Sequence, residues 1–166
     1  MGEPRQYALG GLFGPGRPEM VGHVPHARLL GIGVIEIGPG FAVCVLPHNE
    51  QLIGDPERRV IFGGAITTLI DHASGLAVAC ALEHFTTIAT IDLRVDYLRA
   101  ARPDCDLYTR SECYHVTRHV AFVRAVAYET SPADTFASCL GTFMLGASRS
   151  DSPFSRMIPD SQPEGT

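Results

Sequence analysis

Asp71 is a carboxylate where carboxylates are rare. It lies inside the run GGAITTLIDHASGLAVAC, from Gly63 to Cys80, whose small and aliphatic residues surround it on nearly every side. A helix that is apolar all round is buried, and an ionised carboxylate is seldom buried without a partner or a task. The same run opens on Gly63 and Gly64, where unpaired backbone N–H groups at a helix start can hold negative charge. A positioned base and an oxyanion site are the parts of an acyl-transfer centre. Each part also has a plainer reading. Asp71 could be a paired structural carboxylate, and the two glycines could serve only a tight turn. His72 follows Asp71 directly, so the two point about 100° apart on a helix and make a poor dyad. Packing or a polar contact accounts for it.

The elements around these residues read as follows. Residues 1–19 are rich in Gly and Pro without a period, which predicts a flexible arm. A short helix or turn over Val24–Leu30 starts near Pro25. Leu30–Ile37 and Phe41–Leu46 read as a hairpin about Gly38-Pro39-Gly40, and the polar stretch Pro47–Arg59 reads as a loop. A helix is predicted from Gly63 to about Glu83. Ala89–Tyr97 alternates cleanly: Ala89, Ile91, Leu93, Val95 and Tyr97 form one face, and Thr90, Asp92, Arg94 and Asp96 the other. Three further strands follow at Asp106–His115, Val120–Tyr128 and Phe136–Leu145. The tail 147–166, rich in Ser, Pro and Asp, is expected to be disordered. Short links favour an antiparallel meander, and a helix with two broad apolar faces must be wrapped by it. The fold class is therefore α+β, with about six strands around one long helix, in one domain over 20–146.

Composition narrows the function. The chain has 166 residues and 45% apolar content, enough for one domain with a sizeable core. A net charge of −5 argues against a nucleic-acid footprint. The N-terminus has no secretory pattern, and no run of about 18 apolar residues suggests a membrane span. Five scattered cysteines without a CxxC pair read as free thiols in a reducing cytoplasm. Seven histidines without ligand spacing give no metal site. All 13 basic residues are arginines, so any phosphate must be met by guanidinium forks, backbone amides or histidine.

Phe62-Gly63-Gly64, six residues, then Asp71-His72-Ala-Ser-Gly75-Leu-Ala77 resembles the helix signature of hotdog-fold thioesterases of the PaaI-like type. Thr90-Ile-Asp-Leu-Arg-Val-Asp-Tyr97-Leu98-Arg99-Ala-Ala-Arg102-Pro103 is similar to that family's next strand and its exit. Pro25-His26-Ala-Arg-Leu-Leu30-Gly31-Ile32 is similar to the entry to its first strand. The resemblance spans roughly 24–146. It departs at Phe62, where the family often has histidine, and in the distance of Asn49, the nearest match to an Asn that often precedes the glycines.

The resemblance implies hydrolysis of an acyl-CoA thioester, with coenzyme A as part of the substrate and neither a separate cofactor nor a metal. Gly63 and Asp71 lie about 12 Å apart along a helix, too far to act on one carbonyl within a subunit. Antiparallel helices across a two-fold axis would bring one copy's Asp71 to the other's glycines. This agrees with the homodimer that the resemblance implies, with tetramers left open. Asp71 would be general base or nucleophile, and Thr90 is the candidate hydroxyl beside it, although simple alternation aims Thr90 at solvent. Substrate contacts are expected from Asn49, Phe62, His72, Arg99, Arg102 and Arg118, the arginines for CoA phosphates, with Arg58 and Arg59 as further candidates. Two alternatives remain: a non-catalytic acyl-CoA-binding protein, and a hotdog enoyl-CoA hydratase or dehydratase.

Overall fold

The run from Gly63 becomes a single helix because its buried side chains recur every three to four residues. Ala65, Ile66, Leu69, Ile70, Ala73, Ala77 and Val78 form a continuous stripe on one side. In the computed structural model this helix, α2, spans Gly63–Ala81 and packs on the sheet. The structure describes residues 24–84, 86–102 and 104–146, so the expected arm over 1–19 and tail over 147–166 lie outside the described residues. By length and composition alone α2 could cross a membrane, but its buried stripe is that of a core helix. It is not enclosed all round. Gly64 is exposed, and Thr67, Thr68, Asp71, His72 and Gly75 are half-buried.

Ahead of α2 lie the short helix α1 (Pro25–Leu29), with Pro25 in its first turn, and the hairpin β1 (Gly33–Gly38) and β2 (Phe41–Leu46). Gly40, at φ +73°, supplies the left-handed turn between these strands. The segment expected as a polar loop contains a second, smaller hairpin, β3 (Ile53–Asp55) and β4 (Val60–Ile61). Asp55 closes it by accepting the N–H groups of Glu57 and Arg58, each at 3.1 Å. Leu52, just before it, and Ile61, its last residue, are buried in the main core.

The main sheet is antiparallel with order β1-β2-β6-β7-β8-β5, where β5 is Ile88–Tyr97, β6 Leu107–Val116, β7 Val120–Tyr128 and β8 Thr135–Leu145. The expected meander therefore holds only for β6, β7 and β8. β5 does not pair with β6; it pairs with β8 and forms a sheet edge. The link 98–106 carries the chain back across the end of the sheet, and an ion-pair cluster pins it. Arg99 forks onto both oxygens of buried Glu129 at 2.7 Å and also reaches Asp134. Arg102 gives its backbone N–H to Glu129 at 2.8 Å and its guanidinium to Asp134 at 2.8 Å.

Between helix and sheet, Leu46, Leu69, Ile70, Leu107 and Phe136 form the larger apolar cluster, and Val78, Val123 and Phe143 anchor a smaller one. One polar pair is buried with them, Ser74 Oγ and Ser111 Oγ at 3.1 Å, so each hydroxyl is satisfied inside the core.

Candidate active site

Asp71 sits at the middle of α2, half-buried, and its Oδ1 accepts a hydrogen bond from Thr90 Oγ1 at 2.8 Å. Strict alternation along β5 would forbid that contact. The strand escapes it through a bulge: Thr90 pairs with Phe143 and Asp92 with Thr142, which leaves Ile91 as an extra residue. Phe143, opposite Thr90, is buried, and so is Cys139, opposite Val95. Thr90 therefore shares the helix-facing side with Leu93 and Val95. Ala89 and Ile91, expected on that side, are instead exposed, Ile91 by 52%. One extra residue reverses the parity of everything before it.

The N-terminal end of α2 has no side-chain cap; its N-cap residue is Phe62. Phe62 is 64% exposed, and its ring lies over the first helical turn. A Cβ on Gly64 would come within 2.5 Å of that ring, and one on Gly54 within 3.0 Å of the Phe62 backbone. Glycine at 64 thus admits the ring as well as leaving the backbone open. Tyr97, at the far end of β5, gives its hydroxyl proton to the Gly63 carbonyl at 2.9 Å and lies 3.3 Å from Thr67 Oγ1. Sequence reasoning placed Tyr97 only on an apolar face. The available signal was a tyrosine ending an alternating strand, since such a hydroxyl needs a partner.

Asn49 is far from Gly63 in sequence but close to its support. Its side chain accepts the Gln51 N–H at 2.9 Å and caps the 3-10 turn Glu50–Leu52. The Leu52 carbonyl of that turn accepts the Phe62 N–H at 2.7 Å. The β3–β4 hairpin spans the intervening residues and ties the Asn49 turn to the helix start. His72 is half-buried, and among the described residues its Nε2 has no hydrogen-bond partner. Burial lowers its pKa below 6.5, with the Asp71 charge opposing, so the ring is neutral at pH 7.

The arginines divide. Arg99 is held in the Glu129–Asp134 cluster, and its fork holds the Glu129 carboxyl below the usual carboxylate range. That pairing accounts for the Arg99 charge without a phosphate. Arg102 shares the cluster but keeps an exposed guanidinium. Arg118 is exposed in the β6–β7 turn and has no ion-pair partner among the described residues. That turn adjoins the start of β5, since Leu145 donates to the His119 carbonyl at 2.8 Å and pairs with Ile88. Arg58 lies 3.9 Å from Asp55, and Arg59 bridges Glu50 and Asp104. His48, Glu50 and Asp104 together have ligand atoms close enough for a metal, but the Arg59 guanidinium already pairs with both carboxylates there.

Two half-sites result. One joins Asp71 to Thr90, and the other joins Gly63 and Gly64 to Phe62 and Tyr97. They stand two turns apart on one helix, about 12 Å by helical rise. A carboxylate held by a hydroxyl, and an uncapped helix start with its positive dipole end, are the separated parts of a centre for attack on a carbonyl.

The model of the thioesterase superfamily matches residues 59–134. The medium/long-chain acyl-CoA thioesterase YigI of Salmonella typhimurium is 30% identical over 137 residues, 75% of this chain and 87% of its own. A Halobacterium salinarum protein, provisionally named an esterase, is 42% identical over 78 residues, 45% of this chain and about half (52%) of its own. The solved PaaI protein from the Escherichia coli phenylacetic acid degradation operon superposes with a TM-score of 0.68, covering 77% of this chain and 88% of its own at 19% identity.

Proposed function

Because this chain belongs to the thioesterase superfamily and has its hotdog fold, we propose that it hydrolyses an acyl-CoA thioester to the free acid and CoA, across a two-fold dimer. The observation that carries this reading is the hydrogen bond from Thr90 Oγ1 to Asp71 Oδ1. It fixes one carboxylate oxygen and leaves the other to act.

The dimer is supported by β5. It is a ten-residue edge strand, and a long open edge is a template for another strand. Tyr97 marks its Gly63 end and Thr90 its Asp71 end. Antiparallel pairing of two β5 edges about a two-fold near Leu93–Arg94 sets Thr90 of one copy across from Tyr97 of the other. One copy's Asp71 then faces the partner's Gly63 and Gly64. The thioester carbonyl accepts from the partner's glycine N–H groups at the positive end of that helix. Asp71 takes a proton from water, which attacks the carbonyl carbon; CoA leaves as the thiol when the tetrahedral intermediate collapses and the proton passes to sulfur. In the covalent variant, Asp71 itself attacks the carbonyl carbon, the C–S bond breaks and CoA leaves as thiolate, and water then cleaves the mixed anhydride, its proton passing to sulfur. Thiolate is a good leaving group, so neither route calls for a metal. Exposed Arg118 and the exposed guanidinium of Arg102 suit the CoA phosphates better than Arg99.

The test is thiol release over a panel of acyl-CoA esters, beginning with medium and long chains because of the YigI relative. Wild type releases CoA from at least one ester, and Asp71→Asn lowers kcat by about 10³-fold without changing the fold. Full activity in Asp71→Asn defeats the reading. Phe62 in place of the family's histidine favours one second reading, a protein that binds acyl-CoA without cleaving it. Tight binding of every ester with no thiol released would establish that reading instead. A hydratase would need a paired acid and base, and His72 makes no hydrogen bond to Asp71.

A further inference from the structure

We infer that Tyr97 is a positioning residue that strengthens the oxyanion donor, the Gly64 N–H, by polarising the Gly63–Gly64 peptide from its carbonyl end. The inference rests on the reading of Gly64 given above.

The Tyr97 hydroxyl has one proton, and it goes to Gly63 O at 2.9 Å. Thr67 Oγ1, 3.3 Å from the Tyr97 oxygen, must then be the donor of that second bond. The hydrogen bonds run in one direction, Thr67 to Tyr97 to the Gly63 carbonyl. That carbonyl belongs to the same planar amide as the Gly64 N–H. An additional donor on its oxygen draws density from the amide nitrogen, and chained hydrogen bonds polarise one another in this sense. The oxygen has room for it, since a carbonyl accepts twice and the helix itself uses only one lone pair. A larger residue at 63 would press on the same contact. A Cβ there would stand 3.3 Å from the Tyr97 hydroxyl, tighter than ordinary contact. No N-cap side chain competes for this turn. Tyr97 and Thr90 also hang both halves of the site on one strand, β5.

The test uses Tyr97→Phe in the full chain, which keeps the ring and removes the hydroxyl. Glycine-selective ¹⁵N labelling reads the Gly64 amide in the ligand-free protein. The Gly64 amide proton is expected upfield of its wild-type position in Tyr97→Phe, and by less in Thr67→Val. In thiol release, kcat falls about 3- to 10-fold while KM stays within about twofold, because the oxyanion of the transition state feels donor strength more than the ground-state carbonyl does. Thr67→Ser restores the wild-type values. An unmoved Gly64 resonance overturns the inference whatever the kinetics show. So does an unchanged kcat, or a rise in KM alone, in a protein that Asp71→Asn inactivates. Should Asp71→Asn stay fully active, the hydrolase reading falls, while the Gly64 resonance still decides the polarisation.

Discussion

Thr90 and Asp71 are joined by one hydrogen bond, and each is ordinary without the other. Thr90→Val keeps the shape and removes the donor, so we expect kcat to drop about tenfold, roughly the value of one hydrogen bond to a charged group, with little change in melting temperature. His72 makes a second expectation measurable. Its folded pKa lies below 6.5, so below pH 6.5 the unfolded chain binds the proton more readily. Stability is complete above pH 6.5 and declines as pH falls through the folded value. His72→Gln should flatten that decline, which thermal melts between about pH 7 and 5 would show as a smaller loss than wild type. The acid and the glycine pair are legible in the sequence because a charge inside an apolar run violates composition. Tyr97 is marked only by its place at the end of an alternating strand, because its partner is a backbone carbonyl, and a carbonyl leaves no mark on residue identity.

β5 is where reading by alternation fails, and the failure has a mechanical cause. Helix-facing positions from Leu93 onward follow the two-residue period, and the extra Ile91 shifts Thr90 into the same set. Deleting Ile91 closes the bulge and leaves Thr90 next to Asp92 and opposite Phe143, so strict alternation then keeps Thr90 on the helix-facing side. Thiol release should then stay well above that of Thr90→Val, with the far-UV spectrum retained; a deletion as impaired as Thr90→Val would show that parity alone does not aim Thr90. The edge position of β5 is equally hidden from local pattern, because the Arg99–Glu129–Asp134 cluster on the link 98–106 joins residues about 30 apart. Glu129→Ala should cost about 2 kcal/mol in denaturant unfolding, since it strips the buried carboxylate from Arg99 and from the Arg102 N–H. Long elements were readable from period and length, whereas β3 and β4 are too short to show a period at all.

A single copy of the chain holds Asp71 and the glycine pair about 12 Å apart on one helix, and the proposed chemistry needs them at one carbonyl. Subunit mixing tests whether a second copy brings them together. Asp71→Asn removes the acid, and Gly64→Pro removes the amide hydrogen within the first helical turn, where proline is tolerated once the exposed Phe62 side chain turns aside for its ring. Each variant alone should be inactive. Mixed and reassembled in equal amounts, half of the dimers combine the two and carry one intact centre, which gives about a quarter of wild-type activity. No recovery on mixing would mean that acid and amide serve within one subunit or not at all. The ring of Phe62, lying over Gly64, offers a last use. The chain contains no tryptophan, so an indole introduced at position 62 would be its sole long-wavelength emitter, and every ligand reaching the helix start would announce itself as a change in colour against a dark background.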